Sequence, residues 1–69
     1  MVEVFKTDVS DTVQSRLLEN VLSGEFSDSK INFDLSDCDR ILRVESPHIN
    51  VDKVLSIVNG MGYHCQVLI

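Results

Sequence analysis

The sequence predicts a small α+β sandwich with the element order βαββαβ, and three observations predict it. The chain has 69 residues, a length that suits one domain over residues 1–69. Two segments carry apolar residues at helical spacing, and four short segments are rich in strand formers. Two right-handed βαβ crossovers that share a central hairpin give the ferredoxin-like fold, a four-stranded antiparallel sheet with both helices on one face.

The strands are predicted at residues 2–8, 30–35, 40–46 and 64–69. In the second strand Ile31, Phe33 and Leu35 alternate with polar residues, and in the third Leu42 and Val44 face inward. The short polar residues 36–39 form a turn between them, because their side chains bond their own backbone. The alternation in the first strand leaves open which of its faces is buried. We expect the sheet face away from the helices to be mostly polar, with Lys30, Asn32, Asp34, Arg43 and Glu45 on it.

The first helix is predicted at residues 11–23. Its apolar stripe consists of Val13, Leu17, Leu18, Val21 and Leu22. Asp8 or Ser10 is expected to cap its N-terminus, and Asp11 suits the positive first turn. Gly24 is expected to end it.

The second helix is predicted at residues 51–61, with Asn50 as its N-cap. Its apolar stripe consists of Val51, Val54, Leu55 and Val58. Gly62 follows the helix in the left-handed conformation that favours glycine.

The charge balance excludes several classes of function. Six basic and eleven acidic residues give a net charge of −5, and the basic residues are scattered. We therefore expect no nucleic-acid binding, which needs a positive surface, and no attraction to anionic membranes. The sequence contains no apolar run of membrane-spanning length and no signal-peptide pattern. Its two cysteines are too few for a typical secreted disulfide scaffold, so we expect a cytoplasmic protein.

The sequence gives no indication of an enzyme. It lacks GxSxG, HExxH and glycine-rich phosphate-loop motifs. Among other users of the fold, RNA-recognition modules need aromatic residues on their central strands, whereas residues 40–46 hold none. An acylphosphatase-like enzyme would need an arginine in the first loop, where Asp8 stands instead.

The predicted topology collects three loops at one end of the domain, which we call the loop end (residues 7–10, 36–39 and 62–64, with the adjoining Asp11). Asp8, Asp11 and Tyr63 are its candidate residues for binding a protein partner, because the acidic side chains suit a basic surface and tyrosine is common at interfaces. The same carboxylates are also explained by helix capping and turn formation. Asp37 and Asp39 belong to this acidic group.

Three residues are candidate metal ligands at the same end: Cys38, His64 and Cys65. Cys38 with His64 and a carboxylate such as Asp8 would suit Zn²⁺ better than Cu⁺. His64 and Cys65 are adjacent, and neighbours on a strand point to opposite faces, which argues against joint chelation. Packing in the core is the alternative interpretation of Cys65, and an ordinary exposed turn residue that of Cys38.

The chain resembles the heavy-metal-associated (HMA) domain family, which includes small copper chaperones. The resemblance covers nearly the whole chain, through the βαββαβ order, the Leu18–Leu22 segment Leu-Glu-Asn-Val-Leu and the Gly62–Tyr63 pair. The family motif Met-x-Cys-x-x-Cys binds Cu⁺ in the first loop through two soft thiolates. Val9, Asp11 and Gln14 occupy its positions here, so neither thiolate is present.

These observations leave two hypotheses. In the first, the chain is an HMA-like domain with a degenerate metal loop that acts as a protein-interaction or accessory module, without a cofactor. An exposed edge strand, the second or the fourth, then offers a route to a partner or to a homodimer. In the second, the chain is a Zn or Cu binding or chaperone protein that uses displaced ligands among Cys38, His64 and Cys65.

Overall fold

The structure is a computed structural model that describes residues 1–36 and 38–68. The elements are β1 (Val2–Thr7), α1 (Thr12–Glu25), β2 (Lys30–Asp34), β3 (Ile41–Glu45), α2 (Val51–Gly60) and β4 (Cys65–Val67). One antiparallel sheet joins the strands in the order β2-β3-β1-β4. The α+β ferredoxin-like fold is therefore confirmed.

The register of the sheet places β1 in the middle. Phe5 lies opposite Leu42 of β3 on one side and opposite Val67 of β4 on the other. On the far side of β3, Phe33 of β2 also lies opposite Leu42. The strands β2 and β4 are thus the edges of the sheet, with α1 packed against β2 and α2 against β4.

The core lies between the helices and one face of the sheet. Its fully buried apolar residues are Phe5, Val9, Leu18, Leu22, Leu42, Val44, Val54 and Val58. Phe5 and Thr7 are buried on β1, so this strand turns its odd-numbered residues toward the helices. Val2 and Val4 therefore join the opposite face, where the five predicted polar residues of β2 and β3 are exposed.

The predicted apolar stripe of α1 is wrong in two of its five members. Val13 is 80% exposed and Leu17 is 54% exposed, while Ser15 is buried beside Leu18 and Leu22. The Ser15 hydroxyl donates to the Thr12 carbonyl oxygen at 3.0 Å, which allows a polar side chain to be buried at little cost. The predicted apolar stripe spans about 180° around the helix axis, which is wider than the face of α1 that the sheet covers. Its outer members, Val13 and Leu17, are therefore left at the surface.

The ends of α1 also differ from expectation. Asp11, and not Asp8 or Ser10, is the N-cap, since its Oδ1 accepts from the Gln14 backbone N–H at 2.8 Å. Gly24 does not end the helix. The helix continues to Glu25, and the Phe26 N–H donates to the Leu22 carbonyl at 2.8 Å.

The predicted start of α2 is confirmed, and the helix ends at Gly60, one residue earlier than predicted. Asn50 is its N-cap, and its Oδ1 accepts from the Lys53 backbone N–H at 3.1 Å. Gly62 follows with φ of 97°, in the left-handed region that glycine enters most readily.

The strands are shorter than predicted, by one residue in β1 and β2 and by two residues in β3. Arg40 has φ of 48°, a left-handed conformation that cannot continue a strand ladder, so β3 begins at Ile41. Of the predicted fourth strand, His64 and Leu68 lie outside β4, and Ile69 lies outside the described residues. No helix in the described part of the chain is long and apolar enough to cross a membrane.

Candidate functional site

Backbone contacts from the end of β1 assemble the loop end. The Thr7 N–H donates to the Asp39 carbonyl at 3.1 Å, and the Thr7 hydroxyl donates to the Arg40 carbonyl. The Lys6 Nζ lies 3.6 Å from the Asp39 carboxylate. These contacts join β1 to the turn between β2 and β3, as the topology predicts.

Asp8 joins the third loop to the other two. Its Oδ1 accepts a hydrogen bond of 2.8 Å from the backbone N–H of His64. The loop before α1 is thereby tied to the turn after α2, across almost the whole length of the sequence. The Asp8 carboxylate thus has a structural role, although its side chain remains at the surface.

Asp11 and Gln14 cap the N-terminal end of helix α1. Asp11 bonds the Gln14 N–H, and the Gln14 Oε1 accepts from the Ser10 N–H at 3.4 Å. The two side chains satisfy backbone donors from both directions, much as in a capping box. Their hard oxygen atoms are therefore engaged with the backbone.

Tyr63 follows the left-handed Gly62 and is half-buried against the core. Its backbone N–H donates to the Val58 carbonyl at 3.3 Å, which satisfies one of the last carbonyls of α2. Asp39 takes part in the ion pair with Lys6, whereas Asp37, the remaining member of the predicted acidic group, lies outside the described residues.

The three candidate metal ligands have different environments. Cys38 is exposed in the turn between β2 and β3, and the side chain of His64 is also exposed. Cys65 lies opposite Thr7 on the helix-covered face and packs against the core, as the alternative interpretation of this residue expects. Burial raises the pKa of the Cys65 thiol to about 11, so at neutral pH this thiol is protonated and a weak ligand and nucleophile.

Among residues 1–36 and 38–68 no three His, Cys, Asp or Glu side chains are grouped so as to hold a metal ion. Asp8, His64 and Cys65 do border one shallow cleft of about 190 Å³, together with Lys6, Thr7 and Gln66. Lys6 brings a positive charge to this cleft, which opposes cation binding. Metal binding by Cys38, His64 and Cys65 remains a prediction.

The most exposed apolar side chains of α1, Val13 and Leu17, were assigned to the core by the sequence pattern and instead form a surface pair. They lie four residues apart, on the same face of the helix, within the first two turns after the Asp11 cap. The sequence feature that could have revealed this surface is the width of the apolar stripe of α1. The one helix face that the sheet covers accounts for only part of that width.

Comparison with known protein families, curated proteins and solved structures finds no match to this chain.

Proposed function

We propose that this chain is an HMA-like domain that acts as a protein-interaction module, with its binding surface on the outer face of α1 and the adjoining loop end. The observation that carries the proposal is the exposure of Val13 and Leu17, which are 80% and 54% exposed. Two neighbouring exposed apolar residues on one helix face are typical of the centre of a small interface.

The chemistry of the rim indicates the type of partner. Asp8 and Asp11 are exposed at the loop end that adjoins the start of α1, and the whole chain carries a net charge of −5. A partner that offers an apolar contact bordered by basic side chains would match both features. Because the patch is small, we expect a transient complex rather than an obligate one.

The residues at the first loop also support a module rather than a metal carrier. Asp11 and Gln14 use their side-chain oxygens to cap α1, and oxygen ligands suit Cu⁺ poorly. We infer a cytoplasmic accessory role without enzymatic activity, in which the domain keeps the family's architecture and uses its surface.

A capture experiment tests the α1 surface. The immobilised wild-type domain should retain a partner from a lysate of its source cells, and a Val13→Ser/Leu17→Ser variant should lose that partner at least tenfold. Both sites are exposed, so the variant should melt within a few degrees of the wild type. Leu68→Ser is the matched control, because Leu68 is an exposed leucine that lies beside β1 and not on α1, and it should retain the partner. Equal capture by the double variant and the wild type would refute the α1 surface.

The alternative, metal binding through displaced ligands, is tested by competition titration of the reduced protein with Cu⁺ and Zn²⁺. The module hypothesis predicts affinity no higher than that of the urea-unfolded chain. Tight stoichiometric binding that disappears in Cys38→Ser or Cys65→Ser would establish the metal hypothesis in its place.

A further inference from the structure

The edge strand β2 presents backbone hydrogen-bonding groups in a defined pattern. Met1 and Ser46 exchange two hydrogen bonds, of 2.9 and 3.0 Å. Ser46, which follows β3, therefore directs its backbone groups toward the β1 side. The bonding direction alternates along an antiparallel strand, so Leu42 and Val44 of β3 also bond toward β1. The residues between and beside them, Ile41, Arg43 and Glu45, bond toward β2. Their partners Lys30, Asn32 and Asp34 are thereby paired with β3. The backbone N–H and C=O groups of Ile31 and Phe33 consequently point away from β3, in the plane of the sheet and toward its free edge.

We propose that two copies of this chain pair edge to edge through β2, antiparallel, with Asn32 of each copy opposite Asn32 of the other. This inference does not depend on the α1 surface. The two four-stranded sheets would become one continuous sheet with all four helices on the same face.

This register matches the outward backbone groups of the two copies. It places Ile31 of one copy opposite Phe33 of the other, and the two-fold symmetry repeats the pair. Each pair exchanges two bonds, so about four backbone hydrogen bonds form. The side chains of both residues are half-buried against the core, and an aliphatic–aromatic pair across strands adds further contact.

The same register is self-complementary in charge. The strand reads Lys-Ile-Asn-Phe-Asp, with Lys30 and Asp34 at its two ends on the open face. Lys30 of each copy would lie directly opposite Asp34 of the other. Asp34 already accepts hydrogen bonds from the Ser36 N–H and hydroxyl, at 3.1 and 2.6 Å. Because a carboxylate accepts about four hydrogen bonds, Lys30 of the other copy would add its bond to those that Asp34 already makes.

Helix α1 supplies a second, independent complementarity. Glu25 forms an ion pair of 3.3 Å with Lys53 of α2, so the flank of α1 that holds Glu25 faces α2. By helical periodicity, the opposite flank, with Arg16 and Glu19, faces the β2 edge. In the symmetric pair the two α1 helices run antiparallel side by side, which brings Arg16 of one copy toward Glu19 of the other.

The other edge strand lacks this match. Pairing of β4 with itself about Gln66 would set Cys65 opposite Val67 and His64 opposite Leu68, with no attraction between opposite charges. Only three residues of β4 are in strand conformation, against five in β2. We therefore assign the pairing to β2.

Crosslinking with single cysteines tests the register. In a Cys38→Ser/Cys65→Ser background, Asn32→Cys places the new thiols in a directly opposed, non-hydrogen-bonded pair, with a Cα separation of about 4.5 Å that permits a disulfide. Mild oxidation should convert most of this variant to a disulfide dimer. The matched control is Gln66→Cys, the central open-face residue of β4, which should remain monomeric. Crosslinking of Gln66→Cys alone, or of neither variant, would overturn the proposal.

Charge reversal tests the specificity without a covalent bond. In sedimentation equilibrium at low salt, Lys30→Asp should weaken the dimer about tenfold, because two attractive pairs become repulsive. Asp34→Lys should weaken it similarly, and the Lys30→Asp/Asp34→Lys double variant should restore the wild-type constant. Circular dichroism melting of each variant confirms folding. Failure of the double variant to regain the affinity that the folded single variants lose would contradict the proposal.

The Val13→Ser/Leu17→Ser variant separates this proposal from the proposed function. Its two sites are on the outer face of α1, away from β2, so it should dimerise like the wild type while losing the captured partner. Partner loss with an intact dimer therefore supports both proposals, and an intact partner complex of a protein that never dimerises rejects the β2 pairing alone.

Discussion

At the scale of single residues, polar side chains at the loop end hold the backbone together. Asp8 joins two loops through the His64 N–H, and Asp11 caps α1. Each of these aspartates was a candidate for partner recognition on its sequence position alone. The hydrogen bonds of Asp8 and Asp11 explain why aspartate stands at these two positions. A role in partner binding then depends on the exposed surface around them.

The environment of Cys65 gives a prediction at the same scale. Burial raises its pKa from 9.0 to about 11, so at pH 8 its thiolate fraction falls about a hundredfold below that of a thiol with the ordinary value. We expect iodoacetamide to alkylate Cys65 about a hundredfold more slowly in the folded Cys38→Ser variant than in the same variant unfolded in urea. The folded-state rate should keep rising as the pH approaches 11. Mass spectrometry over time measures both, and equal rates in the two states would show that the thiol is not protected.

At the scale of elements, the two helices differ in how far the sequence determined them. The boundaries of α2 followed from Asn50 and Gly62, whose cap and left-handed turn are local and can be predicted from neighbouring residues. The face of α1 depended on the sheet beneath it. Nothing in the local pattern distinguishes Leu17, which is exposed, from Leu18, which is buried, because both belong to one wide apolar arc.

Two glycines give a paired prediction for these helices. Gly24 lies inside α1, and no atom lies within 4 Å of an added Cβ, so Gly24→Ala should raise the free energy of unfolding by roughly 0.5–1 kcal/mol through helix propensity. Gly62→Ala has equal space but a φ of 97°, and it should lower that free energy by about 1 kcal/mol. Urea unfolding of both variants measures the difference. A stabilising Gly62→Ala would contradict the left-handed turn.

At the scale of the whole molecule, the topology could be predicted but the site could not. Strand and helix patterns gave the βαββαβ order, and handed crossovers then gave the sheet order. Whether Cys38 approaches His64 depends instead on the path of the turn between β2 and β3, which short polar residues do not determine. The proposed pairing through the edge strand β2 likewise could not be derived without the register between β2 and β3. That register decides which backbone groups of β2 are not bonded to β3.

The proposal that this chain is an HMA-like domain gives a prediction for the whole domain. If the fold retains the family's loop geometry, Asp11→Cys/Gln14→Cys should create a site that binds one Cu⁺ per chain, because two thiolates would flank the N-terminus of α1. The same variant loses its helix cap and should be about 1 kcal/mol less stable without metal. Competition titration in a Cys38→Ser/Cys65→Ser background measures the first effect and urea unfolding the second. Binding no tighter than that of the unfolded chain would show that this loop does not have the geometry that the proposed likeness predicts.

The central position of β1 has a consequence for biosynthesis. Within this domain β1 is synthesised before the other elements, yet one of its two neighbours in the sheet, β4, is the last of the six. Until residues 65–67 emerge, β1 is itself an edge, with the apolar Phe5 incompletely covered and half of its backbone groups facing solvent. The nascent domain therefore passes through a stage in which β1, later a central strand, is an exposed edge that another strand could pair with. Synthesis of β4 ends that stage.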